Sequence, residues 1–249
     1  MPTARSYHDQ CGIARGLDVV GERWALLIVR ELLLGPQRFS ELRKALANTS
    51  ANVVTDRLRE LEGRGVIQRR KMTPPSGLWV YELTAWGRQL EPILVALGEW
   101  ALQVPYPPPP NVLSPTSVLI YLRCCARPDP TVRSAVRIAF DDQIWTARAE
   151  DGRLTIEVGD TAEADAAIAT DPSTFNSLIG DTDAMKAEIA AGRVTVSGDL
   201  NTLRRLLQEV EIESVATPKE MNDRADGRDA MFQPGSNRAP ASAVSEGSP

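Results

Sequence analysis

A run of prolines divides the sequence into two parts. The segment VPYPPPPN cannot continue a helix, because proline lacks a backbone N–H and clashes with the preceding turn, so it favours extended polyproline geometry. Beyond residue 216 the sequence holds too few large apolar side chains to offset the entropy of ordering. Four segments are therefore predicted: a domain at 1–104, a proline-rich linker at 105–112, a domain at 113–216 and a disordered tail at 217–249.

Charge is distributed unevenly between the two predicted domains. Residues 1–100 carry 14 Lys and Arg against 11 Asp and Glu, whereas the remaining 149 residues carry 14 against 22. The basic side chains concentrate between Pro36 and Lys71. A net charge of −5 for the whole chain therefore does not exclude a polyanionic partner, since binding to phosphate depends on the local surface. A solvated helical surface is the alternative explanation.

The hydrophobic pattern of the first domain is typical of a winged helix-turn-helix. Apolar spacing predicts two helices across GIARGLDVVGERWALLIVRELLLG, a short helix at RFSELRKAL, and a longer helix at ANTSANVVTDRLRELEGRG that buries Val54, Leu58 and Leu61. The segments VIQRRKM and LWVYELT, separated by TPPSG, predict a β-hairpin. Because the major groove of DNA admits one helix, this order predicts that the longer helix reads DNA beside a hairpin wing.

Two groups of side chains are predicted to contact DNA. Asn52, Thr55 and Arg59 point away from the buried face of the longer helix and are placed to meet base edges. Ser50, at the predicted N-cap, offers its hydroxyl and the free backbone N–H groups to a phosphate. The second group is assigned to positioning on phosphates: Arg43, Lys44, Arg57, Arg69, Arg70 and Lys71.

The last helical segment of the first domain carries a wide apolar stripe. In TAWGRQLEPILVALGEWALQV, helical spacing aligns Leu90, Ile93, Leu94, Leu97 and Trp100. So small a domain does not need a stripe of this width internally. We therefore predict that the helix pairs with a second copy and forms a homodimer.

The first domain resembles the HxlR family of regulators along nearly its whole length. The resemblance is carried by the Cys before the first helix, the GERW turn, the RFSEL segment, the L-x-x-L-E-x-x-G-x-I ending and the Y-x-L-T-x-x-G junction. It implies a homodimeric winged-helix protein that binds a double-stranded DNA operator. Some members of that family sense electrophiles or oxidants through this cysteine. Cys11 is thus a candidate redox sensor, with a small half-buried filler as the alternative role.

The second domain is predicted to belong to the α+β class, with helices covering one face of an antiparallel sheet. Its last half, ADAAIATDPSTFNSLIGDTDAMKAEIAAGRVTVSGDLNTLRRLLQEV, resembles the sterol carrier protein domain, which encloses a tunnel for apolar ligands. The resemblance implies that these side chains line either a core or a ligand pocket: Trp145, Phe140, Phe175, Leu178, Met185 and Ile189. A small apolar ligand bound there would act as an effector of the DNA-binding dimer.

Several classes of protein are not expected from this sequence. It has one histidine, His8, and no phosphate-binding glycine loop or G-x-S-x-G, so we expect no metal, no cofactor and no enzyme activity. No stretch approaches the roughly 20 apolar residues of a membrane span, and the N-terminus does not read as a secretory signal. Three cysteines, two of them adjacent, suit reduced thiols in the cytoplasm. The alternative function is a carrier of lipids or other apolar ligands, or a docking protein, whose winged helix mediates protein contacts.

Overall fold

The computed structural model describes residues 6–73, 76–101, 104 and 112–211 of the chain. A winged helical part precedes an α+β part, and the described residues of both parts, apart from Val104, belong to one compact unit. The predicted α+β class with a winged first domain is confirmed. The predicted tail lies outside the described residues, and so does the predicted linker apart from Val112.

Six helices and a two-stranded hairpin are described in the winged part. They are α1 (Gly12–Val20), α2 (Ala25–Glu31), α3 (Phe39–Ala45), α4 (Ala51–Gly63), β1 (Ile67–Lys71), β2 (Trp79–Leu83), α5 (Ala85–Arg88) and α6 (Glu91–Trp100). As the helical spacing predicts, Val54, Leu58 and Leu61 of α4 are buried, and they pack with α2 and α3 in one core. The segment predicted as one final helix is divided into α5 and α6.

The junction between β2 and α5 shows why the Y-x-L-T-x-x-G motif has this form. Thr84 caps α5, because its Oγ1 accepts a hydrogen bond from the backbone N–H of Gly87 at 3.0 Å and donates one to the carbonyl of Gly65 at 2.7 Å. A Cβ on Gly87 would stand 2.0 Å from the carbonyl oxygen of Val66, so any side chain there would force the backbones apart. The motif thus fixes α5 against the segment that follows α4.

The second part contains a five-stranded sheet and four helices among its described residues. Its elements are α7 (Pro115–Cys125), β3 (Ser134–Phe140), β4 (Gln143–Glu150), β5 (Arg153–Val158), β6 (Ala166–Ala169), α8 (Pro172–Leu178), α9 (Met185–Ala190), β7 (Thr195–Gly198) and α10 (Leu200–Gln208). The strand order is β5-β4-β3-β6-β7. Three neighbouring pairs are antiparallel, as predicted, but β3 and β6 run parallel, because β6 returns to the free edge of β3.

One face of this sheet packs against helices. Ile138 and Trp145 are cross-strand partners and are both buried on that face, in a core completed by residues of α7, α8 and α10. The opposite face carries Arg137, Arg148 and Thr155, which alternate with the buried residues along their strands. The helices therefore cover a single face, as the pattern predicts.

The two parts share an apolar contact beyond the end of α2. Leu34 is 5% exposed and belongs to the hydrophobic core of the second part. Ile120 of α7 packs against both cores. The neighbouring Gly35 lies against Val158 of β5. The second part is thus docked directly on the helix that supports α3 and α4.

Polar side chains border this contact. Glu31, which is wholly buried, accepts hydrogen bonds from Ser114 Oγ at 2.8 Å and from Arg30 Nε at 2.8 Å. Gln37 Nε2 donates to the carbonyl of Glu31 at 2.6 Å and lies 3.4 Å from Oγ1 of Thr116. Since a buried carboxylate without partners is costly, these bonds help to hold α2 and the start of α7 in register.

Candidate nucleic-acid interface

The N-terminus of α4 presents a polar surface. Ser50 is its N-cap, with the side-chain oxygen accepting from the backbone N–H of Val53 at 3.3 Å. Asn52 and Arg59 are exposed, and the guanidinium of Arg59 lies 3.9 Å from the carboxylate of Asp56. Thr55 is half-buried, and its hydroxyl donates to the carbonyl of Ala51 at 2.8 Å. Asn52 and Arg59 therefore present accessible hydrogen-bonding groups on this helix.

Arg57 makes contacts that differ from those of a free phosphate-binding side chain. It pairs with Glu60 one turn further along α4, and with Glu22 of the α1–α2 turn at 3.8 Å. Its side chain is only 16% exposed. Arg57 therefore connects α4 to the turn between α1 and α2, and its contact with phosphate stays a prediction.

The two basic residues at the end of α3 have different partners. Arg43 donates to the carbonyl of Thr49 at 2.5 Å, which holds the turn between α3 and α4. Lys44 Nζ lies 3.1 Å from Asp141 and 3.4 Å from Asp142, both in the β3–β4 turn of the second part. Arg43 supports the helix-turn-helix geometry, whereas Lys44 contacts the other part of the molecule.

The wing combines basic and aromatic side chains. Arg70 pairs with Glu82 across the hairpin at 2.7 Å. Burial alone would raise the pKa of Glu82, but hydrogen bonds from Arg70 and Gln68 outweigh it and lower that pKa. Lys71 is exposed at the end of β1.

Arg69 lies over two aromatic rings of the wing. Its guanidinium carbon is 4.5 Å from the ring centroid of Trp79 and 5.9 Å from that of Tyr81. Such stacking orients the guanidinium without using its hydrogen-bond donors. Trp79, which is half-exposed and lies opposite Lys71, was not among the predicted DNA contacts; its aromatic side chain within the predicted hairpin was the available signal.

Helices α1 and α6 carry apolar side chains that are exposed. Neither helix buries any residue within the described chain. In the stripe predicted for dimer contact, Ile93, Leu97 and Trp100 are exposed, while Leu90 and Leu94 are half-buried against the winged core. A groove of about 670 Å³ lies beside them, lined by residues that include Gly16, Val20, Trp86, Leu90 and Ile93.

Cys11 occupies the N-cap position of α1 and is exposed. Hydrogen bonds from the backbone N–H groups of Ala14 and Ile13 to its sulfur lower the pKa of its thiol. By contrast, burial raises the pKa of Cys124 and that of Cys125. The three thiols therefore differ in their tendency to form the reactive thiolate.

The side chains predicted to line a core or pocket in the second part are largely packed together. Phe140 contacts Trp145 and Phe175 at centroid separations of 5.6 Å and 5.4 Å. Five members of the group are fully enclosed: Phe140, Trp145, Phe175, Leu178 and Met185. Ile189 differs from the prediction, since it is 38% exposed; Met185 is the buried residue of α9.

Trp145 has a feature that packing alone does not explain. Its indole Nε1 is buried and makes no hydrogen bond within the described part of the chain. Buried donors are usually paired, because an unmade hydrogen bond costs about 1–3 kcal/mol.

A separate cavity of about 10 Å³ lies between α10 and the start of the sheet, lined in part by Val132, Ala149 and Leu206.

The helices, turn and wing define a winged helix-turn-helix protein with an added α+β domain. A model of the HxlR-like helix-turn-helix family matches residues 19–106, and a model of the SCP-2 sterol transfer family matches residues 133–209. The chain belongs to the HxlR-like helix-turn-helix family, and its second part carries an SCP-2-like domain. Both resemblances found in the sequence are thereby confirmed.

Relatives in Bacillus subtilis (strain 168) match the winged part. The HTH-type transcriptional regulator YvaP is 42% identical over 89 residues, which cover 36% of this chain and 82% of YvaP. The HTH-type transcriptional regulator YdeP is 37% identical over 94 residues, or 37% of this chain and 72% of YdeP. The solved structure of the redox regulator HypR in its reduced form is 33% identical, covers 36% of this chain and 90% of that one, and has a TM-score of 0.34.

None of the helices among the described residues is long and apolar enough to cross a membrane. These residues also contain no group of three or more His, Cys, Asp or Glu side chains arranged to hold a metal ion.

Proposed function

We propose that this chain regulates transcription by binding a double-stranded DNA operator as a homodimer. The observation that carries the proposal is the exposed, serine-capped N-terminus of α4, supported by a buried base of α2 and α3. A helix presented in this way enters the major groove with its first turns against the base edges. Family membership through the winged part supports the same conclusion.

Five of the predicted contacts have a defined role in this proposal. Asn52 has the geometry for a bidentate bond to adenine, and Arg59 is placed for the edge of guanine or a nearby phosphate. Ser50 and the free N–H groups of α4 hold a phosphate. Arg69, oriented by Trp79, and Lys71 bind the backbone next to the wing.

The homodimer is proposed from the apolar surface of α1 and α6. Trp100 is 69% exposed and Ile13 is 76% exposed, and both lie on helices that bury nothing within the described chain. Contiguous apolar surface of this kind usually marks a protein interface. A second copy is the proposed occupant, because two symmetry-related winged domains match two half-sites of an operator.

A titration of labelled DNA from upstream of the chain's own gene, followed by fluorescence anisotropy at several salt concentrations, tests DNA binding. We expect saturable binding that weakens steeply with salt. Arg59→Ala should weaken it by about 1–3 kcal/mol. Arg153→Ala, which removes an exposed arginine from β5, is the matched control and should have little effect.

Binding of the operator no tighter than of random DNA would contradict the proposal. The alternative function, a carrier or docking protein whose winged part contacts proteins, would then be favoured. A DNA affinity of both arginine variants that does not change with salt would also favour the alternative function, since phosphate contacts are the source of the salt dependence.

The second part is proposed to bind a small apolar ligand that modulates the regulator. The unpaired Nε1 of Trp145 supports this, because an oxygen of a ligand that opens the aromatic cluster would accept its hydrogen bond. Calorimetry with fatty acids tests the idea. Trp145→Phe, which keeps an aromatic ring but removes the N–H donor, should weaken binding of the fatty acid. If the wild-type protein shows no heat of binding, the domain would instead be a docking module.

Three further properties complete the proposal. Cys11 is a candidate redox sensor, supported by its exposure and the lowered pKa of its thiol. The protein is expected to act in the cytoplasm without catalytic activity, as befits relatives named as transcriptional regulators. Mild peroxide treatment that leaves both Cys11 and DNA affinity unchanged would contradict the sensor role.

A further inference from the structure

An ion pair joins the helix-turn-helix to the second part. Lys44 Nζ contacts Asp141 Oδ2 at 3.1 Å and Asp142 Oδ1 at 3.4 Å. The hydrogen bond to Asp141 and, to a smaller extent, the one to Asp142 raise the pKa of Lys44. All three side chains are well exposed, so the pair is in contact with water and ions.

Lys44 stands apart from the other cations assigned to DNA. Within the described residues, Arg57 and Arg70 pair with acids of the winged part itself, whereas the partners of Lys44 come from the second part. Lys44 lies in the last turn of α3, the helix that precedes the DNA-reading helix. In helix-turn-helix complexes the first helix crosses the DNA backbone, which makes the cations of α3 candidates for phosphate contact.

The position of the acidic turn is set by buried contacts between the two parts. Leu34 packs in the core of the second part, and Ser114 bonds to the buried Glu31. These contacts hold the β3–β4 turn beside α3. Because they already fix the two parts relative to each other, the ion pair with Lys44 requires no further loss of entropy to position them. Asp141 has a φ of +51°, a conformation that Asp and Asn tolerate better than most other side chains.

We propose that the Asp141–Asp142 turn of the second part competes with DNA phosphate for Lys44 and so restrains DNA binding. The inference rests on the proposed binding of DNA by the winged part. When the second part lies against α3, the carboxylates of Asp141 and Asp142 pair with the ammonium group of Lys44, which would otherwise neutralise a phosphate. The same carboxylates repel the DNA backbone. Any effector that shifts the second part away from α3 releases Lys44 and strengthens binding.

The size of the effect follows from the exposure of the pair. Exposed ion pairs are weak and screened by salt, so the contact tunes affinity without abolishing it. We expect Asp141→Asn combined with Asp142→Asn to tighten binding about two- to five-fold at low salt. The dependence of log affinity on log salt should become steeper by about one unit, because one more phosphate is neutralised.

The control removes the same charge at the neighbouring hairpin. Glu150→Gln with Asp151→Asn releases Arg133 from two acids, and Asp151 also has a φ of +51°. This variant matches the first in net charge, in turn geometry and in freeing one cation, but it changes no contact with α3. It should leave both the affinity and the salt dependence close to those of the wild-type protein.

A double-mutant cycle with Lys44→Gln decides between competition and general repulsion. The probe is a mixed-sequence DNA duplex, since phosphate contacts do not depend on sequence. Lys44→Gln should weaken binding by the Asp141/Asp142 variant more than binding by the wild-type protein, and should thereby abolish the gain of that variant. Equal tightening by both acid variants, or a gain that survives Lys44→Gln, would overturn the inference.

Failure of the inference is distinguishable from failure of the proposed function. If the wild-type protein binds DNA with a normal salt dependence but the Asp141/Asp142 variant binds equally well, the inference alone is wrong. If no variant binds DNA in a salt-dependent manner, the proposed function is wrong and the inference with it. Circular dichroism of each variant confirms that the fold is retained.

Discussion

In the winged part, α1 and α6 bury none of their residues within the described chain, whereas in the second part the aromatic side chains of the sheet are almost wholly enclosed. Trp100 and Trp145 illustrate the contrast, with 69% and 1% of their surfaces exposed. The same type of side chain therefore serves two purposes. On α6 it is available to another molecule, while in the sheet it stabilises the domain that holds it.

This difference means that the two parts respond differently to their proposed partners. A second copy can bind α1 and α6 with little internal change, because the apolar surface is already formed. An apolar ligand must instead separate side chains such as Phe140 and Phe175, which contact each other at 5.4 Å. The proposed binding of a ligand in the second part would therefore be coupled to a change of structure there, which is the property an effector domain needs.

The largest effect, on the free energy of unfolding, is expected when a side chain of the enclosed aromatic cluster is truncated. Phe175→Ala should lower the free energy of unfolding by about 3–5 kcal/mol, because it removes a fully buried ring and leaves a cavity. Urea denaturation followed by circular dichroism measures this. Ile189→Ala, on the exposed part of α9, should cost about 1 kcal/mol or less. Equal losses for the two variants would show that the cluster is not the core of the domain.

A smaller effect is expected when the open apolar surface receives a charge. Ile93→Glu should weaken the homodimer at least tenfold, which corresponds to about 1.4 kcal/mol, since a carboxylate would be buried in the interface. Sedimentation over a range of protein concentrations measures the dissociation constant. The monomer should keep its fold, because Ile93 is exposed.

A matched control for this variant is available on the same helix. Gly98→Glu adds the same charge at a position where a side chain meets open space, about 140° away around α6. It should leave the dimer intact. A dimer that is unaffected by Ile93→Glu, or equally weakened by both substitutions, would place the interface elsewhere.

The smallest effect concerns the thiols of the two parts. The lowered pKa of Cys11 means that its thiolate forms at lower pH than that of an ordinary cysteine, while the raised pKa of Cys124 and of Cys125 requires higher pH. As pH rises from mildly acidic values, iodoacetamide should label Cys11 first, as measured by mass spectrometry. Labelling in urea should remove the difference. Faster labelling of Cys124 in the folded protein would contradict this order.

Much of the fold follows from local patterns. Helical spacing identified the buried face of α4, and the side chain of Ser50 caps it as residue type and position suggested. The same spacing placed Asn52 and Arg59 on the exposed face. These predictions succeed because a helix determines which neighbours share a face, regardless of the rest of the chain.

Several features that the sequence did not reveal involve partners distant in sequence. Lys44 and Asp141 are 97 positions apart, and nothing in either segment indicates that they meet. Alternation along a strand is the same in parallel and antiparallel pairs, so it did not reveal that β3 and β6 are parallel. The pairing of Arg57 with Glu22, 35 positions away, was likewise not foreseen, while its contact with phosphate stays a prediction.

The buried position of Glu31 has a consequence for the evolution of this architecture. Its side chain accepts a hydrogen bond from Ser114 of the adjoining domain, so a winged part transplanted to another fusion partner would bury this carboxyl group in an interface not shaped for it. Leu34 would likewise lose the pocket that receives it. Substitutions on one side of this boundary should therefore be accompanied by changes on the other, and the two domains should be inherited as a matched pair rather than exchanged as independent modules.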